Sequence, residues 1–137
     1  MADVLQENRQ IVQGYLDAWI SGDAEKGKSY FADDVVAYVS GTHHLSGTYH
    51  GVDDIMTRYI EPVVAMTEGN WAVVSVEDVL PSETRAIAMV TERFQRPGRE
   101  PLESERLAIY DIEDGKIVRL SAYERDQAAV DAYFSEG

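Results

Sequence analysis

The sequence contains no cysteine and only four prolines among its 137 residues. The absence of cysteine excludes disulfides, thiolate metal sites and a cysteine nucleophile. No apolar run approaches the roughly 20 residues that a membrane-spanning helix needs. The first ten residues, MADVLQENRQ, also lack the basic and then apolar pattern of a secretory signal. Together these absences predict a cytoplasmic protein.

Positive charge is scarce as well, because 12 lysines and arginines stand against 25 acidic residues and give a net charge of -13. Such a chain repels phosphate backbones and anionic lipids, so neither nucleic acid nor a membrane is an expected partner. Hydrophobic residues make up 45% of the chain, which is enough for a globular core. We therefore expect one domain over residues 1–137.

The first half of the chain is predicted to be mainly helical. Apolar residues recur at helical spacing over residues 3–20. A short helix over residues 24–31 and a strand over residues 35–39 follow. A third helix is predicted to start at Gly51 to Asp53, with Tyr59 on its apolar side, and Pro62 should kink or restart it.

Four strands are predicted in the second half, separated by turns rich in proline, glycine and acidic residues. They cover residues 71–80, 84–96, 102–112 and 116–125, and a final helix over residues 126–134 is capped by Asp126. Helices grouped before a run of strands indicate an α+β fold. A long antiparallel sheet can curl around helices on one face and leave a pocket between them.

Several short motifs resemble those of SnoaL-like domains, which belong to the nuclear transport factor 2-like (ketosteroid isomerase-like) superfamily. They are DAWISGD at residues 17–23, YFADDV at 30–35, SGTYHG at 46–51, DGKI at 114–117 and YERDQAAVD at 123–131. The resemblance extends over nearly the whole chain. It implies a cone-shaped curved antiparallel sheet wrapped around N-terminal helices, with a central pocket, in a protein that is commonly a homodimer.

The superfamily includes isomerases, epoxide hydrolases, dehydratases, polyketide cyclases and non-enzymatic binders, and its enzymes differ in the residues that their active sites require. Ketosteroid isomerases place their base at a position that corresponds to Val39, which cannot accept a proton. Their first oxyanion-hole donor corresponds to Tyr15, but the second falls near Ala108. That activity is therefore not expected, but Val39, together with Tyr59 of the third helix, is expected to contact a ligand in the pocket.

Limonene-type epoxide hydrolases use an arginine between two aspartates. The arginine corresponds to Arg93, whereas the aspartates correspond to Gln95 and Ala122. If Arg93 faces the pocket, strand alternation places Met89 there too, although a single bulge would reverse the assignment.

The same alternation predicts which residues of the last two strands face the pocket. With Ala108 inward, Arg106 and Tyr110 face the pocket, and with Ala122 inward, Leu120 and Glu124 do. A carboxylate tuned by arginines can act as a general base, and an arginine can bind a ligand oxygen. A structural ion pair is the alternative interpretation.

Tyr15 and Trp19 lie one turn apart on the first helix, where they form either an aromatic wall of the pocket or ordinary core. The stretch SGTHHLSGTYHG contains all three histidines. Adjacent residues in an extended chain point to opposite sides, and no His-Glu-x-x-His spacing is present, so no metal site is predicted. His43 or His44 could reach a ligand at the pocket mouth, or could simply be solvated.

These observations predict a cofactor-independent enzyme of the isomerase, cyclase, dehydratase or hydrolase type that acts on a small, mainly apolar organic molecule. Glu124 or His44 would move protons, and Tyr15, Arg93 or Arg106 would stabilise negative charge. The alternatives are a non-catalytic domain that binds a small hydrophobic ligand and a dimerisation domain whose pocket is filled. A homodimer is expected through the outer face of the sheet, which would carry Leu107 and Ile109.

Overall fold

A computed structural model describes residues 2–135. The helices are α1 (Ala2–Ile20), α2 (Ala24–Ser29), α3 (Val52–Ile55), α4 (Glu61–Thr67) and α5 (Gln127–Phe134), with a π-helical turn at Met56–Ile60 between α3 and α4. The strands are β1 (Phe31–Val39), β2 (Gly47–His50), β3 (Trp71–Pro81), β4 (Arg85–Phe94), β5 (Leu102–Glu113) and β6 (Lys116–Glu124). Among the described residues, no helix is long and apolar enough to cross a membrane.

The six strands form one sheet in the order β2-β1-β6-β5-β4-β3. Strands β3 to β6 are the predicted antiparallel meander, and β1 joins it parallel to β6. The β5–β6 hairpin turns at Asp114 and Gly115, whose φ angles of 50° and 76° suit a tight turn that continues the strand twist. The α+β fold with a curved, open sheet is confirmed, but the sheet is mixed and not wholly antiparallel, because β1 runs parallel to β6.

Strand β2 is not among the predicted elements, since the predictions contain no strand between residues 39 and 51. It is a four-residue edge strand in which only Tyr49 is buried, so its sequence shows little alternation. Irregular register in β1, between Phe31 and Val36, and in β3 bends the sheet. The bent sheet wraps around one face of α1, whose Val12 and Leu16 are buried in the core.

Pro62 restarts a helix, as predicted. It occupies the first turn of α4, a position that favours proline, directly after the π-helical turn. The π-helical turn that precedes it was not predicted. This turn carries the buried Tyr59 towards the sheet, and such turns occur frequently at functional sites.

The outer face of the sheet carries a row of exposed apolar side chains. Met89, Leu107 and Tyr123 are directly opposite one another on β4, β5 and β6, and each is more than a third exposed. An apolar row of this kind usually requires a partner. We predict a homodimer through this face: light scattering at micromolar concentration should give twice the 15.3 kDa chain mass, and Leu107→Lys should give a monomer. A monomeric wild-type protein would contradict this prediction.

Candidate functional site

A cavity of about 270 Å³ lies between α1, the α3–α4 segment and the inner face of the sheet. This volume is near the lower end of the range for small-molecule pockets, about 300–1,000 Å³. Most of the lining is apolar or aromatic. Because the cavity is open, a pocket filled by its own side chains, as expected of a pure dimerisation domain, is not observed.

Seven of the predicted ligand-contacting residues line this cavity. Those from the helical segments and β1 are Tyr15, Trp19, Val39 and Tyr59. Those from the last two strands are Arg106, Tyr110 and Leu120. The alternation argument therefore placed Arg106, Tyr110 and Leu120 correctly, whereas Glu124, which it also directed into the pocket, is not part of the lining.

Arg106 is the centre of a buried ion-pair cluster at one end of the cavity. Its Nε donates to Glu124 Oε2 at 2.7 Å, its Nη1 to Glu92 Oε2 at 3.1 Å and its Nη2 to the Tyr59 hydroxyl at 3.4 Å. The side chains of Arg106, Glu92 and Glu124 are 10%, 8% and 3% exposed. We call these three residues the Glu92–Arg106–Glu124 cluster.

The strand register explains how β4, β5 and β6 bring the cluster together. Arg106 is directly opposite Glu124 on β6, and its neighbour Ser104 is opposite Glu92 on β4. Residues opposite one another on adjacent strands share a face of the sheet, so all these side chains point inward. Ser104 Oγ donates to Glu124 Oε1 at 2.7 Å, and Trp71 Nε1 donates to Glu92 Oε1 at 3.2 Å.

The two carboxylates differ in their access to the cavity. Glu92 lines it together with Arg106, whereas Glu124 lies behind the guanidinium and is not part of the lining. Burial raises the pKa of Glu92 above its usual value, Arg106 opposes this and the charge of Glu124 adds to it. Burial alone would lower the pKa of Arg106, but Glu92, Tyr59 and Glu124 raise it overall, so the guanidinium stays charged.

Three tyrosines, Tyr15, Tyr59 and Tyr110, line the same cavity as the cluster. The rings of Tyr15 and Tyr110 have centroids 5.3 Å apart, and Tyr59 contacts Arg106. Burial raises the pKa of all three; nearby Glu92 adds to this effect at Tyr15, whereas Arg106 opposes it at Tyr59. All three hydroxyls therefore keep their protons at neutral pH and can donate hydrogen bonds to an oxygen in the cavity.

The predicted inward positions of Arg93 and Met89 are wrong. Arg93 is opposite Glu103 on the other face of β4 and donates to Gln95 at 3.4 Å, and Met89 belongs to the exposed row described above. Arg93 was placed inward because it corresponds to the epoxide hydrolase arginine. That placement reversed the two faces of β4, whose inward residues are those on either side of Arg93. The cation that faces the cavity comes instead from β5.

The sequence does contain the signal that finds Glu92. Ala86, Ala88, Val90 and Phe94 share its parity on β4, and all of them are buried. An apolar residue at every second position of a strand identifies its inner face better than a single arginine that matches a known enzyme. A lone glutamate within that series is then a buried carboxylate that needs a partner.

The histidines do not line the cavity. His43 is buried with its ring centroid 4.6 Å from that of Phe134, and its Nδ1 accepts a hydrogen bond from the Leu45 N–H at 3.1 Å. Burial lowers its pKa, with a partly opposing effect from Asp131. His44 is exposed, so the predictions that His43 or His44 reaches the ligand are wrong. Within residues 2–135, no cluster of three or more possible ligands could hold a metal ion.

Gly27 of α2 packs closely against the indole of Trp19, which lines the cavity. A Cβ added there would lie 2.6 Å from Trp19 Cε2 and 2.8 Å from its Nε1. Alanine gains about 1 kcal/mol of helix propensity over glycine, but it must displace the indole. We expect Gly27→Ala to lower the free energy of unfolding by about 1–3 kcal/mol and to shift the tryptophan emission. Lys26→Ala is the control, and an unchanged emission spectrum in Gly27→Ala would argue against this packing.

Residues 12–120 match the family model for the SnoaL-like domain. Uncharacterized proteins of Mycobacterium bovis and Mycobacterium tuberculosis are each 29% identical over 126 residues, which is 91% of this chain and 94% of theirs. Bal32a from a soil-derived mobile gene cassette superposes with a TM-score of 0.88 at 20% identity, covering 96% of this chain and 99% of its own. A putative SnoaL-like polyketide cyclase from Jannaschia sp. CCS1 gives a TM-score of 0.75 at 13% identity, over 98% and 96% of the two chains. At these identities the two structures show a shared fold.

Proposed function

The chain belongs to the SnoaL-like domain family, and from that premise we propose that it is a cofactor-independent enzyme that moves a proton to or from a small, mainly apolar organic molecule. The reaction would be of the isomerase, cyclase, dehydratase or hydrolase type. The observation that carries the proposal is the position of Glu92. It is a buried carboxylate, held against a guanidinium, that faces an open apolar cavity.

Glu92 has the properties of a general acid and base. Its raised pKa brings the protonated and ionised forms closer in free energy near neutral pH, which is the condition for moving a proton in both directions. Its hydrogen bonds from Trp71 and Arg106 fix the carboxylate in one orientation. In this proposal Glu92 takes the proton-transfer role that the sequence suggested for Glu124.

Glu124 and Arg106 position Glu92, and the tyrosines assist the reaction. Glu124 binds Arg106 Nε and Ser104, away from the cavity, so it holds the guanidinium in place. Loss of a proton next to a carbonyl puts negative charge on its oxygen. Hydrogen-bond donors aimed at that oxygen stabilise the transition state. In this proposal the hydroxyls of Tyr15 and Tyr110, two residues that line the cavity, are those donors.

Only one carboxylate of the cluster, that of Glu92, reaches the cavity, and this favours reactions that need a single proton-transfer group. A limonene-type epoxide hydrolase needs two carboxylates at the substrate, one to activate water and one to protonate the epoxide. Here an arginine does lie between two carboxylates, but Glu124 is behind it. A reaction in which one group removes and returns a proton, as in an isomerase, cyclase or dehydratase, therefore fits better than epoxide hydrolysis.

The proposal can be tested with small cyclic ketones, enones, β-hydroxy ketones and epoxides incubated with the protein in D₂O. Wild-type protein should introduce deuterium or convert at least one of them, as measured by NMR and mass spectrometry. Glu92→Gln should not, whereas Glu105→Gln, which removes an exposed carboxylate on the same sheet, should behave like wild type. Compounds that bind but are recovered unchanged and without deuterium would favour a non-catalytic binding domain.

A further inference from the structure

The charge balance at the cluster end of the cavity is negative. Two carboxylates face one guanidinium, so the ionised cluster has a formal charge of -1, and each of the three nitrogens of Arg106 already donates to a protein oxygen. Arg106 is the only lysine or arginine among the described residues that line the cavity. A bound anion would therefore add to an uncompensated negative charge, whereas a bound cation would neutralise it.

The walls next to Glu92 are aromatic. Trp71 donates to Glu92, its ring lies edge-on to that of Tyr59 with centroids 6.2 Å apart, and the ring of Tyr49 follows 5.7 Å from Tyr59. All three rings line the cavity, and the guanidinium of Arg58 already lies 5.0 Å from the centroid of the Tyr49 ring, so Trp71 and Tyr59 are the rings open to a ligand. Aromatic faces attract organic cations and offset part of the cost of removing them from water.

From these two features we infer that the cavity takes an organic cation: a small apolar body that carries a protonated or quaternary amine, with the nitrogen beside Glu92 and the aromatic rings. The inference rests on the proposed function in that it uses the same cavity, but it concerns binding and does not require turnover. A carboxylate provides the charge and the rings provide the apolar contact. Among the described residues that line the cavity, no lysine or arginine other than Arg106 competes for the carboxylate. An anionic ligand would lie beside Glu92, and it could be bound only by those N–H groups of Arg106 that do not already donate to Glu124, Glu92 and Tyr59.

Three probes that share one ring and differ in charge test this inference. They are cyclohexylmethylammonium, cyclohexylmethanol and cyclohexanecarboxylate, none of which absorbs where tryptophan is excited. Both tryptophans of the chain line the cavity, so their fluorescence reports occupancy directly. At pH 7 and low salt, the ammonium probe should bind about tenfold or more tightly than the alcohol, and the carboxylate should bind most weakly.

Two variants separate the site from the overall charge of the protein. Glu92→Gln should abolish the preference for the ammonium probe while keeping the affinity for the alcohol. Glu105→Gln removes the same formal charge from the exposed side of β5 and should keep the preference. An equal loss of preference in both variants would overturn the inference, because the preference would then reflect the net charge of -13.

The order of affinities of the three probes for wild-type protein tests the inference even if Glu92→Gln does not fold. Binding of the carboxylate or the alcohol as tightly as the ammonium would overturn the inference and leave the proposed function intact. If none of the three probes alters the fluorescence at millimolar concentration, both the inference and the small-molecule function fail. The two failures are thus distinguishable.

Discussion

Arg106→Met is expected to lower the free energy of unfolding by about 3–5 kcal/mol at neutral pH, the cost of removing one partner from a buried ion pair. Methionine fills much of the volume but leaves Glu92 and Glu124 buried together without a cation. Urea unfolding monitored by circular dichroism measures the change. Arg93→Met is the matched control, and because Arg93 lies on the other face of β4, its effect should stay within about 0.5 kcal/mol.

The loss of unfolding free energy in Arg106→Met should also depend on pH. Without the guanidinium, which opposes the effect of burial, the folded-state pKa of Glu92 lies further above its unfolded value. Carboxyls of this kind favour the folded state fully below the unfolded pKa, and that contribution is lost as the pH rises through the folded pKa. The difference from wild type should therefore shrink as the pH falls to about 4. A deficit as small as that of Arg93→Met would show that the cluster contributes little to stability.

Glu92→Gln is expected to lower turnover by about 10²–10⁴-fold on any substrate that the wild-type protein converts, the usual range for a general acid or base. Its effect on stability should be smaller than that of Arg106→Met. The amide removes a buried charge but has one oxygen for two donors, Trp71 and Arg106. We expect a net change within about 1–2 kcal/mol.

The turnover comparison is made by steady-state kinetics on Glu92→Gln, with Glu105→Gln alongside. A general-base role predicts that the loss falls mainly on kcat, since the amide keeps the shape of the cavity. A variant that retains wild-type kcat would exclude Glu92 as the proton-transfer group. An equal loss in Glu105→Gln would show that the effect is one of overall charge.

Much of the fold could be predicted because local and global signals agree. Strands β3 to β6 alternate and are separated by strong turn sequences such as Asp114-Gly115, and Asp126 accepts the cap hydrogen bond from the Ala129 N–H. Strand β2 was missed because an edge strand of four residues has no long alternation. The π-helical turn was missed because nothing in its sequence distinguishes it from an ordinary helix.

The site was predicted in part, for reasons that differ between strands. Arg106 and Tyr110 were placed correctly because β5 has no register shift against β4, so alternation from Ala108 holds along that stretch. On β4, a single matching arginine outweighed the apolar series that identifies the inner face, and Glu92 was overlooked in favour of Arg93. The histidines were interpreted from their spacing alone, whereas their positions depend on α5, since His43 packs against Phe134.

The most direct test of the proposed proton transfer is a ¹³C NMR titration of the side-chain carboxyl of Glu92, assigned by comparison with Glu92→Gln. It needs neither a substrate nor a ligand. The account predicts a midpoint above the ordinary glutamate value of 4.5, because burial and Glu124 together outweigh Arg106. A midpoint at or below that value would leave Glu92 permanently ionised near neutral pH. It would then be a structural partner of Arg106, and the proposed acid–base role would be contradicted.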